Sequence, residues 1–254
     1  MIELTAEDGH QFSAYRVDPS DTPKGAVVVL QEAFGVDPHI CKVADSFAAK
    51  GYVTIVPSLI ERAKKNAANP ESAAADLAKQ LTDLGDDTSY IDLQAAIDSV
   101  KEAGKVALVG YSDGADLAYL SGIKVKGLAC AVGYYGPKIP ERFLIKCRIP
   151  TLIHFGDNDP LTPTEEVVQF RANRPDVSVF TYPTAGHGFS SDEDEGYNAE
   201  AAEKALERTL FWISQFVEGQ PPVQMKNGGS YAQAKPDKKK KKKTSSDDMG
   251  PPMD

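Results

Sequence analysis

The sequence predicts an α/β domain in which a mostly parallel central sheet carries helices on both faces. Short β-branched runs alternate with longer helical patterns from the N-terminus to about residue 218, a pattern that buries a sheet between helical layers. The later strand-like runs are almost wholly apolar, as strands covered on both faces require. A chain of 254 residues, 41% hydrophobic and 26% charged, also has enough interior to fold without disulfides or a structural metal.

Strands are predicted at Phe12 to Val17, Ala26 to Gln31, Tyr52 to Val56, Val106 to Gly110, Gly127 to Val132, Thr151 to Phe155 and Val177 to Tyr182, where β-branched and aromatic residues cluster between turn formers. Helical spacing predicts helices at Pro38 to Ala49, Glu71 to Leu84, Ser89 to Ala103, Asp113 to Gly122, Thr164 to Ala172 and Gly196 to Val217,. One domain over residues 1–218 accounts for all of them. Residues 219–254 differ in kind: prolines, glycines and the run Lys238 to Lys243 with almost no aliphatic residues predict a disordered lysine-rich tail.

Charge and cysteine usage narrow the function. The net charge of −9 hides eight lysines and four aspartates in residues 219–254, so the body is strongly acidic. Such a surface excludes a folded nucleic-acid site, which needs clustered Lys and Arg. Cys41, Cys130 and Cys147 are widely spaced and fit packed thiols in a reducing compartment, with no metal or redox motif. Apolar runs such as Ala26 to Leu30 are far shorter than a membrane span. Glu3, Glu7 and Asp8 near the start are unlike a signal peptide, and a cytoplasmic protein is expected. The sequence does not define an oligomeric state, and a monomer is the simplest expectation.

The sharpest local feature is Gly110-Tyr111-Ser112-Asp113-Gly114 between a predicted strand and a predicted helix. A serine on such a turn stands clear of the sheet, and the following helix aims its free N–H groups at the same spot. A serine hydroxyl needs a base to take its proton and a third group to orient that base. His187, in Ala185-Gly186-His187-Gly188-Phe189 after the last predicted strand, is the candidate base, whereas His154 lies within a strand pattern and reads as a core residue. For the acid, Asp157 and Asp159 compete after the Thr151 to Phe155 strand. Asp157 has the position of a turn-capping residue, and Asp159 stands deeper in the loop. The chain order Ser112, Asp159, His187 is that of α/β-hydrolases. No phosphate-binding loop or zinc cluster is present in the sequence, so neither cofactor nor metal is expected.

Gln31-Glu32-Ala33-Phe34-Gly35-Val36, Gly110 to Gly114, Ala131-Val132-Gly133-Tyr134-Tyr135-Gly136, Gly156 to Asp159 and Ala185 to Phe189 together resemble the dienelactone hydrolase family over residues 1 to about 218. The resemblance implies an α/β-hydrolase fold and cleavage of small lactones and other carboxylic esters without a cofactor. By the same resemblance Ser112 matches the nucleophile, Asp159 the acid and His187 the base. Glu32 and Tyr135 match positions at the substrate site, and the backbone N–H groups of Ala33 and Asp113 match the oxyanion hole.

Two departures are visible. The family's founding enzymes carry a cysteine where Ser112 stands, and a hydroxyl is too weak an acid for Glu32 to ionise. Glu32 then either orients substrate or water or is a hydrogen-bonded loop carboxylate. Enzymes acting on dienelactone also use an arginine four residues after the histidine. Here Ser191 occupies that position and Asp192-Glu193-Asp194-Glu195 follow. That acidic run would repel an anionic substrate, which predicts neutral or weakly cationic esters, while its alternative role is to stabilise the N-terminus of the next helix. Two other readings of the same residues are an acyltransferase or peptidase and a non-catalytic binding protein on this fold.

Overall fold

The computed structural model describes residues 1–30, 35–65, 69–82 and 87–218. Strands β1 (Ile2–Thr5), β2 (Gln11–Val17), β3 (Ala26–Leu30), β4 (Val53–Pro57), β5 (Val106–Tyr111), β6 (Leu128–Tyr134), β7 (Thr151–Gly156) and β8 (Ser178–Tyr182) form one sheet in the order β1-β2-β4-β3-β5-β6-β7-β8. β1 and β2 form an antiparallel hairpin, and β2 runs antiparallel to β4. From β4 through β8 every pairing is parallel.

The helices are α1 (Pro38–Ala49), α2 (Ile60–Lys64), α3 (Pro70–Thr82), α4 (Thr88–Val100), α5 (Asp113–Lys124), α6 (Thr164–Asn173) and α7 (Ala199–Ile213), the last continuing as a π-helical turn, Ser214–Glu218. Alternation along the central strands divides the core between the two faces. Val27, Val29, Ala107 and Val109 pack with Phe47 of α1 and Ala205 of α7. Val28, Leu30, Val106 and Leu108 pack with Leu93 of α4 and Leu117 of α5. Because both faces are covered, all positions of β3, β4, β5 and β7 are buried.

The structure adds two elements and moves several boundaries. β1 has only four residues and α2 only five, too short for a periodic signal. Arg62 of α2 reaches Asp8 beside the hairpin at 2.6 Å and the buried Asp92 of α4 at 2.5 Å, so contacts distant in sequence hold this corner. β4 runs one residue later than its pattern, and β6 continues past Val132 because Gly133 and Tyr134 pair with Gly110 and Tyr111. α7 begins at Ala199 rather than near Gly196, since the Asn198 side chain accepts the Ala201 N–H and caps it there,. Gln31, Glu32, Ala33, the end of the predicted Glu71 to Leu84 helix and the tail 219–254 lie outside the described residues.

His154 is a core residue, fully buried in β7. Its Nδ1 meets the Tyr182 hydroxyl at 2.8 Å and its Nε2 meets Thr209 Oγ1 at 3.0 Å. Burial penalises the imidazolium, and the nearby Arg208 adds to it, so the ring's pKa is pushed down to about 3. The folded state therefore keeps His154 neutral. This contribution to stability is complete above the ordinary value of 6.5 and is lost progressively as pH falls below it. Urea unfolding at two pH values checks the sign: between pH 7 and 5 the native chain should lose about 2 kcal/mol more stability than His154→Gln, which cannot titrate.

Candidate active site

The site forms where the carboxyl ends of β5, β7 and β8 meet, because a parallel sheet directs the loops after its strands to one rim. Ser112 lies between the last residue of β5 and the first of α5, with φ 49° and ψ −121°. Its N–H donates to the Tyr134 carbonyl at 3.0 Å, and its own carbonyl accepts from Ala115 N at 2.9 Å. The turn is so tight that a Cβ on Gly110 would stand 2.1 Å from the Gly114 carbonyl oxygen. Asp113 opens α5, so its N–H has no acceptor within the helix. Burial raises the Asp113 carboxyl pKa, with His187 and Lys138 opposing the rise.

The loops after β7 and β8 are joined in a similar way. A Cβ on Gly156 would meet the Ala185 carbonyl oxygen at 2.3 Å, and Asn158 N donates to that same oxygen at 2.9 Å. This approach brings Asp159 under His187. The Asp159 side chain is wholly buried and accepts from Leu161 N at 2.8 Å, Thr162 Oγ1 at 3.3 Å and His187 Nδ1 at 2.9 Å. The other nitrogen, His187 Nε2, lies 3.0 Å from Ser112 Oγ. Asp157, by contrast, is exposed, and its N–H continues the turn by donating to the Tyr182 carbonyl.

Tyr135 contacts the imidazole directly. Its ring meets His187 edge-to-face with centroids 5.0 Å apart, and its hydroxyl pairs with Ser190 Oγ at 3.1 Å. A hydroxyl, an imidazole and a buried carboxylate in series can move a proton off the hydroxyl and hold the resulting imidazolium. Glu32 and Ala33 fall outside the described residues. The three thiols have pKa values raised by burial, that of Cys130 to about 12. Among the described residues no group of three or more His, Cys, Asp or Glu side chains is arranged to hold a metal ion.

The acidic run precedes Asn198, the N-cap of α7, and part of it contacts α1. Asp192 reaches His39 Nδ1 at 3.4 Å, and Glu193 reaches Lys42 at 3.1 Å, so the run fastens the loop after His187 onto α1. Glu200 is the acidic residue in the first turn of α7. Sequence spacing could not reveal this, since the paired residues are about 150 positions apart. Nor did any sequence signal mark Leu161 and Thr162 as the donors that hold Asp159.

This sheet order, with a serine turn after β5, defines an α/β-hydrolase. The dienelactone hydrolase family model matches residues 12–217, and the chain belongs to that family. Carboxymethylenebutenolidase of Pseudomonas putida is 33% identical over 232 residues, covering 84% of this chain and 95% of that protein. Carboxymethylenebutenolidase 1 of Cupriavidus pinatubonensis is 29% identical over 224 residues, covering 82% and 94%. Among solved structures, a candidate dienelactone hydrolase of Klebsiella pneumoniae superposes with a TM-score of 0.70 at 24% identity, covering 84% of this chain and 98% of that one. A Pyrococcus furiosus esterase superposes at 0.63 and 19%, covering 85% and 91%. The chain is accordingly a hydrolase of the ester and lactone class.

The Gly110 contact yields a test of the turn. The atoms a Cβ would strike are backbone and cannot swing aside, so Gly110→Ala should lower stability in urea unfolding by about 1–3 kcal/mol. A stability unchanged from the native chain would show that the turn is not closely packed there.

Proposed function

We propose that the chain is a serine-dependent hydrolase of carboxylic esters or lactones that works through an acyl-enzyme. The observation that carries this reading is the hydrogen-bonded series from Ser112 Oγ through His187 to Asp159. Ser112 attacks the carbonyl while His187 Nε2 takes its proton. The same imidazole returns that proton to the leaving alcohol. Asp159 holds the tautomer that presents Nε2 to Ser112 and stabilises the imidazolium without accepting the proton. Water then enters with His187 as base, and Ser112 departs as the free hydroxyl.

Negative charge developing on the carbonyl oxygen is met by the N–H of Asp113 at the start of α5, with the N–H of Ala33 as the second donor implied by the family resemblance. Each such donor contributes about 3 kcal/mol to the transition state in comparable enzymes. Serine at the position where the family's founding members carry cysteine makes the His187 base indispensable, because a hydroxyl does not ionise unaided near neutral pH. The thiols support this assignment by default, since burial keeps Cys130 and Cys147 protonated.

The substrates that fit are small neutral esters and lactones. Ser191 supplies no positive charge for a substrate carboxylate, and the carboxylate of the neighbouring Asp194, which no ion pair engages among the described residues, disfavours an anion,.

Turnover of a small neutral ester tests the roles. Ser112→Ala should abolish it together with labelling by a fluorophosphonate probe. Asp159→Asn should lower kcat by at least about 1,000-fold, and Asp157→Asn by less than about threefold. Ester turnover retained in Ser112→Ala would end the proposal, and equal losses at the two aspartates would reassign the acid.

A further inference from the structure

A proton taken up by His187 leaves positive charge on its ring, and the anions around the ring decide how well that charge is held. Asp159 supplies one of them, against Nδ1 at 2.9 Å. A second carboxylate belongs to the Ser112 side of the ring. Asp113 directly follows Ser112, whose Oγ lies 3.0 Å from Nε2, and it opens α5 as a half-buried residue.

The Asp113 carboxylate has no hydrogen-bond or ion-pair partner among the described residues. Of the two cationic groups that act on it, His187 and Lys138, the lysine is held by Glu141 at 3.1 Å. Asp116, one turn further along α5, is engaged separately by the Lys138 backbone N–H at 3.0 Å. A partly buried carboxylate without a partner is unfavourable, and burial does raise the Asp113 pKa, with His187 the foremost charge opposing the rise. The group that gains positive charge beside it during turnover is the imidazole. Asp113 is therefore unmatched in the resting protein and matched when the imidazolium forms, and an interaction stronger in the transition state than in the ground state is what accelerates a reaction.

The other groups around the ring act differently. Tyr135 packs against it from the loop after β6 and directs its hydroxyl to Ser190. Asp194, on the ring's own loop, is exposed and accepts the Gly196 N–H, so solvent screens its charge. Among the described residues, Asp159 and Asp113 are the two carboxylates whose burial makes their charge felt at the imidazole.

We propose that the side chain of Asp113 is a second electrostatic partner of His187, raising the proton affinity of the imidazole and stabilising the imidazolium formed as Ser112 attacks. The side chain acts through His187 as a positioning group, separately from the backbone N–H assigned to the oxyanion. Its use in turnover rests on the serine hydrolase reading above, whereas its effect on the titration of His187 does not.

Asp113→Asn removes the charge and keeps the shape and the backbone donor. An anion favours the imidazolium, so its loss lowers the pH at which the ring titrates. The ring resonances of His187 in nuclear magnetic resonance spectra, assigned with His187→Gln, should titrate about half a pH unit lower than in the native chain. In turnover of a small neutral ester the acid limb of kcat/KM should move the same way, kcat on the plateau should fall about three- to tenfold, and KM should change less than about twofold. Asp113→Ser, also uncharged, should reproduce these shifts, and Asp113→Glu should return the titration and the limb to the native values. Asp157→Asn, which removes an exposed carboxylate, should move neither. A His187 ring that titrates at the native pH in Asp113→Asn and Asp113→Ser, or that shifts equally in Asp157→Asn, overturns the proposal. A ring titration lowered in both uncharged variants, in a chain whose native form hydrolyses no ester or lactone, would keep the coupling and remove the hydrolase reading instead.

Discussion

The positive φ at Ser112 is the constraint on which the rest of the site depends. A side-chain-bearing residue in that conformation costs about 1–3 kcal/mol and persists only where its surroundings over-determine it. Here the Ser112 N–H donates to the Tyr134 carbonyl, the Ala115 N–H donates to the Ser112 carbonyl, and the missing Cβ of Gly110 lets the Gly114 backbone close in. β5 fixes one side of the turn and α5 the other. Strain held by the best-buried part of the sheet lifts one hydroxyl off the strand ends and toward the imidazole.

A second close approach completes the arrangement. Gly156 admits the Ala185 carbonyl, which ties the loop bearing Asp159 to the loop bearing His187. A buried carboxylate is tolerable only when its oxygens are paired. Asp159 meets this requirement with a backbone N–H, a hydroxyl and the imidazole. The pairing that removes the cost of burial is also the one that orients His187, so stability and alignment come from the same contacts. Farther along the His187 loop, Asp192 and Glu193 hold that loop to α1 through His39 and Lys42.

The features legible in the sequence were those that local pattern determines. Ser112 was marked by glycines two positions away on each side, and His187 by glycine neighbours after a strand. Both are backbone requirements written directly into residue type. His154 was readable as a core residue from its strand context. Asp159 was preferred to Asp157 from its place in the loop and from the family resemblance, whereas the burial of one and the exposure of the other come only from tertiary contact. The burial of Tyr111 and the attachment of the acidic run to α1 were invisible for a related reason. The burial of Tyr111 depends on Tyr134 and Tyr135 from β6 and its loop, and Asp192 finds its partner on a helix far away in sequence. Length hid β1 and α2, which are shorter than the window any periodicity needs.

Mass spectrometry of the chain quenched in acid during turnover of a slowly hydrolysed ester tests the central claim most directly. The account predicts one acyl group per chain, on the peptide containing Ser112, and absent when His187 is replaced by glutamine. An acyl group mapped to Cys41, Cys130, Cys147 or any other side chain, with Ser112 unmodified during active turnover, would contradict it.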